Sequence, residues 1–258
     1  MNVAVIIPTC ERPASLARAV ASLGDAKIFI SHDDAGRFGP AKTRNRGARK
    51  AIAAGAKILV FMDDDCIAAS DCVEKLIAAF ENSGVIAAAG AVIYRADGYV
   101  AGANERAVQN PNAKWFMGAL CAVRAKDFLA VGGFPENFRV YEDKALALAL
   151  AMRGRIAHIP AARVYHEASF WTPEMRVRHT DHLTYWPRLA ERNNLWSDPA
   201  DPPPLFWRHI LLPRDFGSII KNFFNAHGQM LLRQRITLWR VQIKQISKTR
   251  NLPKLLIF

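Results

Sequence analysis

Three consecutive carboxylates, Asp63-Asp64-Asp65, follow directly on the apolar run Lys57-Ile58-Leu59-Val60-Phe61-Met62. A run of that composition reads as a buried strand, which sets the three charges at its carboxyl end. Two such charges about 4 Å apart repel by roughly 1 kcal/mol in water and about 4 kcal/mol at an intermediate dielectric. A divalent cation removes that cost. Hard oxygen donors on a short loop suit Mg²⁺ or Mn²⁺, which keep positions open for substrate phosphates. The plain alternative is a solvated acidic turn that caps the next helix. A second pair, Glu142-Asp143, opens a helix over Lys144–Arg153 that Gly154 closes. Taken alone, the pair reads as a cap favoured by the helix dipole. Its chemical alternative is a general base for an acceptor hydroxyl. A lone His166 is more often structural than a ligand, and His179 and His182 read as a solvated helix face.

These groups need elements to hold them. Residues 3–8 form a β-branched apolar run that stops at Pro8, a strand signature. Pro13–Val20 reads as a helix with Gly24 as its stop, and Lys27–Ser31 as a second strand ending at His32-Asp33-Asp34. A helix over 41–54, the strand 57–62, a helix over 70–82 and a strand over Ala87–Tyr94 follow. That alternation predicts an α/β fold, a mainly parallel sheet with helices on both faces. Ligands of such sheets bind beyond the carboxyl ends of the strands. The polar clusters Thr9–Arg12, Asp33–Asp34 and Asp63–Asp65 all fall there. In the second half, Trp115–Val123 is apolar and aromatic, and Gly132-Gly133-Phe134-Pro135 is a turn. Arg155–Ile159 is a short strand ended by Pro160, and Val164–His166 a further extended piece.

A chain of 258 residues with 51% hydrophobic content is globular. No apolar run approaches the eighteen or so residues of a membrane span. The opening run is too short, and lacks the basic start, for a signal peptide, so a cytoplasmic protein is expected. Cys10, Cys66, Cys72 and Cys121 match neither a zinc knuckle nor a CxxC pair and read as reduced thiols. The net charge of +12 is uneven. Residues 205–258 carry ten Lys and Arg against one acid, Asp215, so +9 of the charge lies beyond the proline-rich linker 199–204. Within that tail, residues 218–246 read as a helix in which Ile219, Phe223, Phe224 and Trp239 interleave with cations. Such a helix suits the inner, anionic face of a membrane; packing on the domain is the other reading. Nucleic acid is not expected, because the rest of the chain is not basic and shows no binding motif for it.

The pieces VAVIIPTCERP, KTRNRGARKA, ILVFMDDDC, GGFPENFRVYED and HIPAARVYHE, in that order over residues 3–167, resemble a family 2 glycosyltransferase with the GT-A fold. The resemblance implies an inverting, metal-dependent transfer of sugar from a nucleotide-sugar to a hydroxyl of a glycan or lipid-linked glycan. It places Pro8, Thr9, Glu11 and Arg12 near base and ribose, and Lys42, Arg44 and Asn45, with Gly47, near the nucleotide. Asp63 and Asp64 fall on the donor, and Asp63 and Asp65 on the metal-diphosphate, with His166 as a further ligand of Mn²⁺ or Mg²⁺. Asp143, with Glu142, falls on the catalytic base. Trp115, Gly118 and Gly133 are expected at the acceptor. Only ten positions separate Asp34 from Arg44 where family members have a longer stretch. A strand and helix are therefore missing, Asp34 remains a donor-side candidate, and IFISHDD answers to either the second or the third strand. The implied organisation is a transferase domain over 1–198, with a nucleotide-sugar half (1–95) and an acceptor half (96–198), then the linker and a helical extension over 205–258.

Two rival readings are weaker. A sugar-nucleotide-forming nucleotidyltransferase would want a Gly-rich phosphate loop where this chain has PTCERP. An inactive, membrane-associated glycan-binding protein would not need the intact acidic triplet and Glu-Asp pair.

Overall fold

The computed structural model describes residues 1–10, 12–95, 115–138 and 141–167. Strand β1, Val3–Thr9, has four successive buried residues, as a strand covered on both faces should. Helix α1, Pro13–Ala21, starts with proline in its first turn, where the ring's fixed φ costs nothing. Strand β2, Ile28–His32, lies parallel to β1 and ends the sheet order, which settles its place directly beside the first strand.

Helix α2, Gly39–Ala53, begins where Asp33 accepts hydrogen bonds from the backbone N–H groups of Phe38 (2.9 Å) and Gly39 (2.8 Å). Asp33 is thus a buried helix anchor. The small residues Ala41, Gly47, Ala48 and Ala51 let α2 press on the sheet: a Cβ at Gly47 would lie 2.6 Å from the Ile6 side chain. Strand β3, Ile58–Met62, is buried throughout. It is followed by the short strand β4, Cys66–Ala68, and helix α3, Cys72–Ala78, extended by a 3₁₀ turn to Glu81. Strands β5, Val85–Arg95, and β6, Leu120–Arg124, come next, then helix α4, Ala125–Ala130, helix α5, Glu142–Ala151, and strand β7, Arg155–Glu167.

Among the described residues the seven strands form one sheet, ordered β2-β1-β3-β6-β5-β7-β4. The first three long strands pair in parallel, as expected, through β1–β2 and β1–β3. Beyond β3 the sheet is mixed: β3–β6, β5–β6 and β4–β7 are antiparallel and β5–β7 parallel. One core, with Phe61, Phe128, Phe134, Leu146 and Leu150, lies under α2, α4 and α5. The other, with Ile7, Val60, Leu76 and Phe80, lies under α1 and α3. Helices therefore cover both faces.

Pro160 does not end its strand. The β5–β7 register jumps from Gly90↔Ile159 to Ala91↔Arg163, so residues 160–162 bulge out and pairing resumes. A bulge is where a sheet tolerates proline. Gly90 fits against it, since a Cβ there would meet the Ala162 carbonyl at 2.8 Å and the Leu120 side chain closer still. The boundaries at 198 and 204, the linker, the tail, His179 and His182 lie outside the described residues.

Candidate active site

The carboxyl ends of β1 and β3 lie side by side, which brings Thr9 to the acidic triplet. The three carboxylates point to different partners. Asp64 is buried and accepts a 2.6 Å hydrogen bond from the Thr9 hydroxyl. Asp63 accepts a 2.6 Å bond from Arg44 Nη2. Asp65 Oδ2 accepts a 2.8 Å bond from Arg12 Nη1, which also stands 3.6 Å from Asp64 Oδ1. Part of the repulsion inferred from sequence is thus offset by two guanidinium groups.

His166 reaches the triplet through the sheet. In the β4–β7 ladder it stands opposite Cys66, and its Nε2 is 3.3 Å from Asp65 Oδ1. Donor atoms of Asp65, Cys66 and His166 lie within 4.8 Å of one another. Burial, with Asp63 and Asp64, pushes the Asp65 carboxyl up, against the pull of His166 and Arg12. Burial also pushes the Cys66 thiol far up, so this sulfur is a neutral neighbour.

Arg44 is the centre of the second cluster. It is 5% exposed, with Nη1 donating to Glu142 Oε1 at 2.8 Å and Nη2 to Asp63. Its guanidinium lies 5.5 Å from the centre of the Phe134 ring, and Nε has no hydrogen-bond partner. Burial alone would lower its pKa, but Asp63, Glu142 and Asp143 together raise it further, so the charge is permanent. Gly118 passes so close that a Cβ would sit 2.9 Å from the guanidinium carbon. That is the reason for glycine at this position.

Asp143 follows Glu142 in the first turn of α5, whose N-cap is Tyr141 in the left-handed region (φ 64°). Asp143 is thus inside the helix and is not its N-cap. Oδ2 accepts from Gly118 N–H at 2.8 Å and Oδ1 from Lys144 N–H at 2.7 Å, which fixes the carboxylate plane. Burial raises its pKa against those two bonds and Arg44. Glu142 is raised by burial and by Asp143, with Arg44 opposing.

Several sequence candidates have other occupations here. Both ends of the Asn45 amide serve the turn after α4: Nδ2 donates to the Phe134 carbonyl (2.8 Å) and Glu136 (3.0 Å), and Oδ1 accepts from Phe134 N–H (2.9 Å). Gly132 and Gly133 have φ of 83° and 76°, and a Cβ at Gly133 would strike Asn45 Oδ1 at 2.7 Å. Turn geometry and this clip therefore account for the glycines. The Lys144 ammonium lies 4.7 Å from the centre of the Trp115 ring, so Trp115 shares its ring with a cation. Lys42 stacks on Phe38, 4.5 Å from the ring centre. Asp34 is exposed in the 3₁₀ turn after β2, and Pro8 is half-buried in β1. Glu11 lies outside the described residues. Sequence reasoning missed Glu136, Cys66 and Lys144. Only Cys66 carried a signal, its place next to the triplet.

Residues 24–143 match the model of glycosyl transferase family 2. No curated relative matches the chain. Among solved structures, the mannosyltransferase PcManGT from Pyrobaculum calidifontis, in complex with GDP-Man and Mn²⁺, is 17% identical with a TM-score of 0.58 over 96% of this chain and 88% of its own. S. aureus TarS 1–349 is 14% identical, TM-score 0.58, over 96% and 82%. GalNAc-T7 with UDP, GalNAc and Mn²⁺ is 15% identical, TM-score 0.54, over 78% of this chain and 49% of that one. The fold is GT-A, and the stretch from β2 into α5 is similar to glycosyl transferase family 2.

Proposed function

We propose that the chain moves a sugar from a nucleoside-diphosphate donor to a hydroxyl of a glycan or lipid-linked glycan, inverting the anomeric carbon, with a divalent ion at Asp63, Asp65 and His166. The observation that carries this reading is the convergence, at one strand end, of the Asp65–His166 pair with the Asp63–Arg44–Glu142 chain that leads to Asp143. Carboxylate oxygens and an imidazole nitrogen suit Mn²⁺ or Mg²⁺. Solved structures of similar fold contain Mn²⁺ and a GDP-sugar or UDP, which supports the choice. The ion would supply positive charge where the departing diphosphate gathers negative charge. Asp143, its plane held by two backbone N–H groups, takes the proton of the acceptor hydroxyl as that oxygen attacks. One base without a covalent intermediate inverts the carbon.

Calorimetry of UDP and GDP binding, with Mn²⁺ or with EDTA, tests the metal reading. Asp65→Ala should abolish the difference between the two conditions. Equal affinity of the wild-type protein in both would overturn the reading.

We also propose that residues 205–258 hold the enzyme on the cytoplasmic face of an anionic membrane. The tail's +9 charge, interleaved with Phe, Trp and Ile, supports this. The full chain should sediment with anionic vesicles at low salt and release as salt rises, because screening shortens the attraction to about 8–10 Å near physiological ionic strength. A protein that stays in the supernatant at low salt rules the docking out.

A further inference from the structure

We propose that Arg12 is a displaceable counter-ion: a divalent cation drives its guanidinium off Asp65, and the freed group then binds the donor diphosphate. This rests on the metal reading above. Arg12 Nη1 holds Asp65 Oδ2 at 2.8 Å, while the other oxygen, Oδ1, faces His166. A cation shared by Asp65 and His166 therefore meets a guanidinium already on its ligand, and the guanidinium is charged at every working pH. Two contrasts mark Arg12 as the group that yields. Its side chain is 52% exposed and ends on a carboxylate edge, whereas Arg44 is 6% exposed and held at both ends by Asp63 and Glu142. The Arg12 backbone is fixed, since its carbonyl accepts from Leu16 N–H at 3.0 Å and the Ser15 hydroxyl at 3.2 Å. The head group can therefore swing from a stationary root.

A freed guanidinium beside a metal-bound diphosphate has a well-matched partner, because its planar fork pairs with phosphate oxygens. Metal and nucleotide then favour each other: the ion liberates Arg12 for the diphosphate, and by linkage the diphosphate strengthens ion binding by the same factor. The consequence is a site that takes up free metal reluctantly and the metal with nucleotide readily.

The test is Mn²⁺ binding followed by electron paramagnetic resonance on the full chain, alone and with UDP or GDP. Relative to wild type, Arg12→Gln should bind Mn²⁺ alone about two- to fivefold more tightly, the scale of a half-exposed ion pair removed. The same variant should bind nucleoside diphosphate in Mn²⁺ at least about tenfold more weakly, the scale of a lost charge-assisted hydrogen bond. The two effects have opposite signs, which general damage to the site would not produce. Unchanged or weaker Mn²⁺ binding by Arg12→Gln overturns the proposal, as does unchanged nucleotide affinity. A wild-type protein that binds no Mn²⁺ with or without nucleotide overturns the metal reading as well, and so is distinguishable.

Discussion

Asp143→Asn should lower turnover by at least about a hundredfold, the usual scale for losing a general base, while donor affinity stays near wild type. The side chain is nearly isosteric, so the substitution removes the proposed base with little change of shape. It does disturb one contact. Both carboxylate oxygens accept backbone N–H groups, from Gly118 and Lys144. Asn has one acceptor oxygen, so its NH₂ faces one of those donors, at a cost to stability of about 1–3 kcal/mol. Steady-state kinetics beside nucleotide calorimetry separates the two effects. Near-wild-type turnover would show that Asp143 is not the base. The pH profile adds a second check. Burial raises the Asp143 pKa in the fold, and only its ionised form can take a proton. Activity should therefore fall, as pH is lowered, at a higher pH than an ordinary Asp would give. The sign for stability is the reverse: a carboxyl held more tightly protonated in the fold contributes stability at low pH and loses it as pH rises through the folded pKa.

Arg44→Met should destabilise the protein by about 3–5 kcal/mol, because it leaves Glu142 buried without its cation and removes the partner of Asp63. Asp63 is the more exposed of the two, its side chain 25% accessible, so water recovers part of that loss and the lower end of the range is expected. For a chain of this size the midpoint of thermal unfolding should fall by roughly 10 °C. Arg44→Lys keeps one charge but cannot span both carboxylates, and should fall between. An unchanged melting temperature for Arg44→Met would mean that the bridge contributes nothing to the fold.

Apart from β4, the alternation of strands and helices from Val3 to Arg95 is legible in the sequence, because β1, β2 and β3 are short runs rich in Val, Ile and Phe and each helix is a longer stretch with a break after it. The mixed pairing beyond β3 is not. Leu120–Arg124 runs antiparallel to its neighbours, and nothing in four apolar residues and an arginine encodes direction. Strand β4 has three residues, too few for any periodicity. Proline at 160 reads as a stop because local propensity cannot see the bulge that absorbs it. At the site, residue types at strand ends are legible, and so is the pairing of late His166 with the triplet region as a resemblance. What the side chains are committed to is not. Arg44 and Glu142 are far apart in sequence yet share a 2.8 Å bond, and Asn45 looks like a ligand-facing amide until Phe134 takes both of its ends.

The two adjacent residues Arg44 and Asn45 have a consequence for recombination among related enzymes. From one turn of α2, the first reaches Glu142 and the second reaches the turn at Phe134, so two consecutive positions key the first half of the chain to the second. A crossover between strands β5 and β6 that joins α2 of one parent to the glycine turn and α5 of another inherits a lock from one and a keyhole from the other. Such hybrids should survive only when both parents share the Arg-Asn pair, the Gly-Gly-Phe turn and the Glu-Asp start. These three short segments, the first far in sequence from the other two, therefore form a single heritable unit.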